Sequence, residues 1–248
     1  MRGMAKTSVI KKEAGKFTDL TERQKRVLFS LIEEYVKNKI PVSSKSLAKR
    51  GYFDLSSATL RSEMQELEDL GLLEQPHTSA GRIPSDAGYR LFVNEIFSNQ
   101  DYSRFKRQPK IPANDAFSPS DAVKSLAKQA KNLAIFHDAA LHDFFQSGFS
   151  ELFANPEFEN SENILSFGKF FEKLESEFDE MFAEIEDGLP RVFIGRELPM
   201  KEAENFSLII SRCDFNGERR GIFALLGPKR MDYRRNWRLL NDLIRLLK

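Results

Sequence analysis

The chain has 248 residues, 41% of them hydrophobic and 30% charged, with a formal net charge of +1 and a single cysteine. That is enough apolar material for one small and one medium domain. The lone Cys213 excludes an internal disulfide and argues against a cysteine metal site, which suits a reducing compartment. Met1 to Lys16 lacks the apolar run of a signal peptide, and no segment approaches the ~20 apolar residues of a membrane span, so a cytoplasmic protein is expected. The small net charge hides an asymmetry. Residues 1–108 carry 19 Lys/Arg against 14 Asp/Glu, residues 109–190 carry 6 against 16, and residues 191–248 carry 13 against 7. A basic N-terminal module beside an acidic middle fits a nucleic-acid binder with a separate oligomerisation or regulatory part.

Residues 1–18 read as a flexible basic arm. Thr21-Glu22-Arg23-Gln24 is a capping box, and Val27, Leu28, Leu31, Ile32, Tyr35 and Val36 recur behind it at helical spacing. Ile40-Pro41-Val42 is an extended link. Ser43 or Ser44 then caps a short helix over about 45–50 that Gly51 ends. After a turn at Asp54-Leu55-Ser56, a third helix over about 57–70 stops at Gly71. Leu60, Met64 and Leu67 form its narrow apolar face, leaving Ala58, Ser62, Gln65, Thr59 and Arg61 to point elsewhere. Its first turns carry small polar groups and one arginine, while Glu66, Glu68 and Asp69 crowd its end. Phosphates would repel that acidic end, so the N-terminal half is the part expected in a DNA groove, with Arg61 suited to guanine and Gln65 to adenine. A strand over 72–75, the small polar tip His77-Thr78-Ser79-Ala80-Gly81-Arg82 and a closing Pro84 make a hairpin between two helices, which is the form of a DNA-binding wing.

Residues 106–120, with Pro109, Pro112 and Pro119, read as an interdomain linker after a DNA-binding domain over 19–105. A helix over about 121–146 follows, with Val123, Leu126, Ala130, Leu133, Ala134 and Leu141 inward. Next comes a seam: Ile164, Phe167, Phe171, Leu174, Phe178, Met181 and Ile185 are spaced 3-4-3-4-3-4. Such a seam serves dimerisation or packs within its own domain; residues 121–190 are assigned as a helical dimerisation region, and both uses stand open. Val192-Phe193-Ile194 is a short strand, and strands over 206–213 and 219–226 flank an Asn216-Gly217 turn. Asp232 caps a last helix whose stripe is Tyr233, Trp237, Leu240, Ile244 and Leu247. Residues 191–248 are thus a small α+β layer. The fold class is α+β, mostly helical.

Catalytic signals are weak. His77, His137 and His142 share no metal-ligand spacing, and neither a GxGxxG run nor a Walker motif occurs. No enzyme activity, no metal and no cofactor are expected.

Leu20 to Gln24, Pro41 to Ser44, Ser57 to Met64, Leu67 to Gly71, Glu74 to Pro84 and Gly88-Tyr89-Arg90 together resemble the heat-inducible transcription repressor family (HrcA). The resemblance continues at Gly148 to Phe158, Ile194 to Glu197 and Gly227 to Tyr233. It implies a winged helix followed by a GAF-like domain with an inserted dimerisation element, repression of chaperone operons from an inverted-repeat operator by a dimer, and help from the chaperonin. Typical members are longer, and the shortfall falls between the helix near Ser120 and Gly148, so a reduced GAF-like layer is expected. On this reading Ser57, Thr59, Arg61, Ser62 and Gln65 face bases or nearby phosphates, His77, Thr78, Ser79 and Arg82 contact the backbone or minor groove, and Lys45, Lys49 and Arg50 supply steering charge. The alternatives are a ligand-responsive winged-helix regulator and a scaffold whose winged helix docks a protein.

Overall fold

The computed structural model describes residues 20–98 and 118–247, apart from residues 52, 79, 139, 140, 142, 184, 186–188 and 216–218. The arm, most of the linker, Ser79, His142 and the Asn216-Gly217 turn lie outside the described residues. The chain divides into two compact units at Asn99/Gln100.

In the first unit, α1 (Glu22–Asn38) opens on the expected box, with the Gln24 amide donating to Thr21 Oγ1 at 3.1 Å and the Thr21 amide to Gln24 Oε1 at 3.0 Å. It closes at Lys39, whose φ is 64°. Helix α2 (Ser44–Lys49) is capped by Ser43, and α3 (Ser57–Asp69) by Ser56, whose hydroxyl accepts from the Thr59 amide at 3.1 Å. Val27, Leu28, Leu31, Ile32, Leu47, Leu60 and Leu67 are all fully buried, so the three apolar stripes meet in one core. Strands β1 (Leu73–Glu74) and β2 (Ile83–Pro84) pair antiparallel, Leu73 opposite Pro84. Val42, read above as part of a link, joins them by a reciprocal bridge to Arg82, with N···O distances of 2.9 and 2.8 Å. Gly81 is required there: a Cβ would stand 2.4 Å from the Val42 carbonyl. Helix α4 (Asp86–Ser98) then packs on α1. This is the winged-helix arrangement.

The second unit is built on a five-stranded antiparallel sheet. Its elements in chain order are α5 (Pro119–Ala130), β3 (Leu133–Asp138), β4 (Asp143–Ser147), α6 (Phe149–Phe153), α7 (Ser161–Ser176), α8 (Phe178–Phe182), β5 (Arg191–Ile194), β6 (Phe206–Phe215), β7 (Arg219–Pro228) and α9 (Tyr233–Leu246). The spatial order of the strands is β4-β3-β7-β6-β5. Alternation sorts their side chains onto two faces, both covered. Phe136, Ile209, Phe223 and Leu225 lie under α5 and α9, and the Tyr233 hydroxyl of α9 meets Ser207 Oγ of β6 at 2.8 Å. Leu133, Ile135, Leu208, Ile210, Ala224 and Leu226 lie under α6, α7 and α8. The last helix buries the expected stripe of Tyr233, Trp237, Leu240, Ile244 and Leu247.

Two expectations are corrected here. Residues 121–146 are not one helix. Helix α5 ends at Lys131 in the left-handed region (φ 55°), and Leu133–Asp138 becomes the strand that pairs with β7. Ala130, Leu133 and Ala134 are buried as expected, but from two elements, and Leu141 is exposed. The apparent helical spacing carried across the boundary because a strand buried on both faces has no alternation to betray it. Pro119, placed in the linker, begins α5, where its missing N–H costs no hydrogen bond.

The second correction concerns the seam. It is broken at Glu177 into α7 and α8, and Phe167, Leu174, Phe178 and Ile185 are buried in their own core, with Phe171 and Met181 packed against it. Of the seven seam residues only Ile164 is exposed. The sheet presents an apolar face at the same place, so seam and sheet bury one another and the assignment of those residues to dimerisation does not stand. Phe206 shows the packing: its ring stacks on Phe170 at 5.9 Å and meets Phe167 edge-on at 5.4 Å.

Candidate nucleic-acid interface

Helix α3 divides into two halves with different partners. Its C-terminal half is tied to the body of the unit by its carboxylates. Glu63, nearly buried, receives Arg23 of α1, and Glu66 receives the Gln24 side-chain amide at 2.9 Å. Glu68 accepts from Arg82 Nε at 2.6 Å, and Asp69 from the Gln65 amide at 3.0 Å. The acidic end thus holds the helix in place, and its charge is met internally by Arg23 and Arg82. The N-terminal half is different. Ala58, Arg61 and Ser62 are exposed, and Thr59 is half-buried with its hydroxyl 2.9 Å from Ser56 Oγ.

The start of α3 lies beside the start of α2, since Ser57 Oγ and Ser44 Oγ are 3.2 Å apart. Lys45, in the first turn of α2, is exposed, as is Lys49. Lysine charge and the positive end of the α3 dipole therefore occupy one neighbourhood. At the wing, His77 and Thr78 are exposed, the Ala80 amide donates to the His77 carbonyl at 2.9 Å, and the Gln75 side chain donates to the carbonyls of Thr78 and Ala80 at 3.0 Å each. The tip is held by its own glutamine. Ser79 lies outside the described residues.

Three of the expected contact residues are otherwise engaged. Arg82 is mostly buried, and besides Glu68 it donates from Nη2 to Gln65 Oε1 at 2.9 Å. It fastens the wing to the second half of α3 and is not a free phosphate ligand. Gln65 is correspondingly occupied on both sides of its amide, by Arg82 and by Asp69. Arg50, itself exposed, pairs with buried Glu34 at 2.7 Å, so its charge compensates a carboxylate in the interior. The two arginines share one cause: each lies near an acidic residue of a neighbouring element and pairs with it, Arg82 with half-buried Glu68 and Arg50 with buried Glu34. Sequence reading missed Glu34, Glu68 and Gln75 as positioning residues. The one signal was an excess of acid at the end of a helix otherwise suited to DNA.

Among the described residues no group of three or more His, Cys, Asp or Glu is placed to hold a metal ion, and no helix is long and apolar enough to cross a membrane.

Comparison with known proteins agrees with this geometry. Residues 19–97 match the family described as "Winged helix-turn-helix transcription repressor, HrcA DNA-binding", and residues 88–236 match "HrcA protein C terminal domain". A protein of Natranaerobius thermophilus named heat-inducible transcription repressor HrcA is 28% identical, over 87% of this chain and 92% of its own length. One of the same name from Thermodesulfovibrio yellowstonii is 26% identical, over 93% of this chain and 97% of its own length. The first alignment runs over 320 positions, more than the chain has residues, so that relative carries residues absent here within the matched span. A crystal structure described as a hypothetical protein superposes with a TM-score of 0.76, covering 92% of this chain and 98% of its own, at 21% identity. It shares the fold. On both family matches, which together run from residue 19 to residue 236, the chain belongs to the HrcA family of winged helix-turn-helix transcription repressors.

Proposed function

We infer that the protein is a transcription repressor of heat-shock genes that binds an inverted-repeat operator as a homodimer in the cytoplasm and blocks polymerase by occupying the site. The observation that carries the reading is the split of α3: the half that lacks carboxylates is exposed, and the half that bears them is fastened down. An exposed N-terminal half with Arg61 and Ser62 is the geometry by which a recognition helix enters a major groove. Family membership and the relatives' names supply the target class. A two-fold operator calls for a two-fold protein. Since the Phe-rich seam is internal, the dimer contact belongs to other surfaces, and exposed Phe153 and Leu165, which are not seam residues, offer apolar area on α6 and α7. Assistance by the chaperonin is the family's expectation and fits a repressor relieved by heat.

The test is titration of the protein against its own upstream region, the same duplex with the repeat scrambled, and random duplex. Arg61→Ala should cost about 1 to 3 kcal/mol on the operator and relax preference at one base pair per half-site. An unchanged ratio of operator to random binding would show that α3 does not read bases.

A further inference from the structure

The apolar face of the second unit's sheet turns polar in its last row. The register sets Ile135, Ala224 and Ile210 side by side, all fully buried, and then His137, Ile222 and Arg212 on the same three strands one pleat further on. Helix α8 covers that row. His137 Nε2 lies 2.7 Å from Asp179 Oδ1, and Arg212 Nη2 donates to the carbonyls of Phe182 and Ala183, each at 3.3 Å. Between sheet and helix is a cavity of about 330 Å³, with Phe182 and Ile222 as apolar walls and His137, Asp179 and Arg212 as its polar lining.

Holding α8 accounts for only part of this arrangement. The Arg212 bonds are long for a guanidinium, whose charge-assisted contacts run at about 2.7 to 2.9 Å. Its acceptors are two neutral carbonyls, and among the described residues its Nε is buried without a partner, as is His137 Nδ1. Asp179 directs its charge to His137. Among the described residues no carboxylate answers Arg212. Protein interiors are in general close-packed, and most buried donors in them are satisfied. The space is thus lined by a guanidinium whose acceptors among the described residues are neutral, and by an imidazole with one nitrogen unpartnered there, which is a setting that favours an anionic ligand group.

We propose that this cavity binds a small organic anion, a carboxylate on a compact apolar body, with Arg212 as its charge partner, His137 as a second polar contact, and Phe182 and Ile222 against the body. The volume lies at the lower end of the range of about 300 to 1,000 Å³ for small-molecule sites, which limits the body to a single ring or a short chain. The site gives the second unit a chemistry that DNA repression does not require.

The experiment uses the full chain with benzoate, phenylacetate and hexanoate, each beside its neutral amide, in titration calorimetry and in NMR of the His137 imidazole. Carboxylates should bind, move the His137 signals at saturation and exceed their amides by about tenfold or more. Arg212→Gln should weaken binding by a similar factor, and Arg212→Lys should restore part of it. The proposal is overturned if no carboxylate binds at about 10 mM, a concentration at which even a contact worth about 3 kcal/mol is detectable. It is overturned equally if amides bind as well as acids, or if binding leaves His137 unmoved. Should Arg212→Gln fail to fold, the acid-to-amide ratio and the His137 signals of the unaltered protein decide alone.

Discussion

In the winged-helix unit, α3 buries Leu60, Met64 and Leu67 in the core and is fixed in addition by a ring of directional polar contacts from Arg23, Gln24 and Arg82. In the second unit α7 and α8 are held mainly by phenylalanine rings packed on a sheet, Phe158, Phe167 and Phe170 around Phe206 and Phe178 beside Phe182, with polar contacts from His137 and Arg212 only at the α8 end. The difference follows from what each helix leaves uncovered. A helix that must present one end to a ligand can bury only one narrow face, so hydrogen-bonded clamps add to that face in fixing its other end and its position. A helix that only closes a core can be held by area, which has no preferred direction. The first kind of hold responds to salt and to single charge changes; the second responds to volume.

The largest expected effect tests the second kind. Phe170 is fully buried and stacked on Phe206. Phe170→Ala should cost the C-terminal unit about 3 to 5 kcal/mol, the usual range for removing a buried ring. Calorimetry should show that unit melting earlier while the winged helix keeps its own transition. Joint loss of both transitions would mean that the two units do not unfold independently.

An intermediate effect tests the first kind. Arg82→Ala breaks two hydrogen bonds, one of them to a carboxylate, and should cost the winged-helix unit about 1.5 to 3 kcal/mol. Its charge is spent on Glu68, so the slope of DNA affinity against salt should not change. Lys45→Ala should do the reverse, leaving stability alone and lowering the slope by about one for each phosphate that the lysine neutralises. If Arg82→Ala lowers the slope as Lys45→Ala does, the clamp opens on DNA and Arg82 is a phosphate ligand after all.

These two regions also differ in how far the sequence revealed them. Local features of the first unit were legible residue by residue: the Thr21 box, the end of α3 at Gly71 and the hairpin closed by Pro84 are all set by neighbours within a few positions. What was not legible joins residues far apart in the chain, such as Gln24 with Glu66 or Arg50 with Glu34, because no spacing rule links them. That is why Arg82 and Arg50 read as free cations. In the second unit the missed strand β3 and the misassigned seam have a common origin. Ala134, Ile135 and Phe136 are buried on both faces of a central strand, and a run without polar positions carries no period. The regular spacing of Phe167, Leu174 and Phe178 correctly marked a buried stripe; the partner it faces, a sheet made from β3 and the two long strands after it, was the part that periodicity does not encode.

The smallest expected effect separates area from charge within the second unit. Asp242 sits on α9 with its carboxyl held above the usual range, first because burial disfavours the ionised form; Arg238 and Arg245 act in the opposite direction and do not cancel it. The folded state therefore binds this proton more readily than the unfolded chain does. Above the folded pKa the ionised carboxyl opposes folding in full. As pH falls through that value the opposition fades, and it is gone below the unfolded pKa. Asp242→Asn removes the charge and should raise stability at neutral pH by a few tenths of a kcal/mol, about the size of a surface substitution, since the group is well screened by solvent. The gain should shrink on acidification through the carboxylate range. Chemical denaturation at neutral and acidic pH measures it, and a loss of stability on substitution would show that the two arginines outweigh burial, so that even in the unit held by apolar area an ion pair does part of the holding.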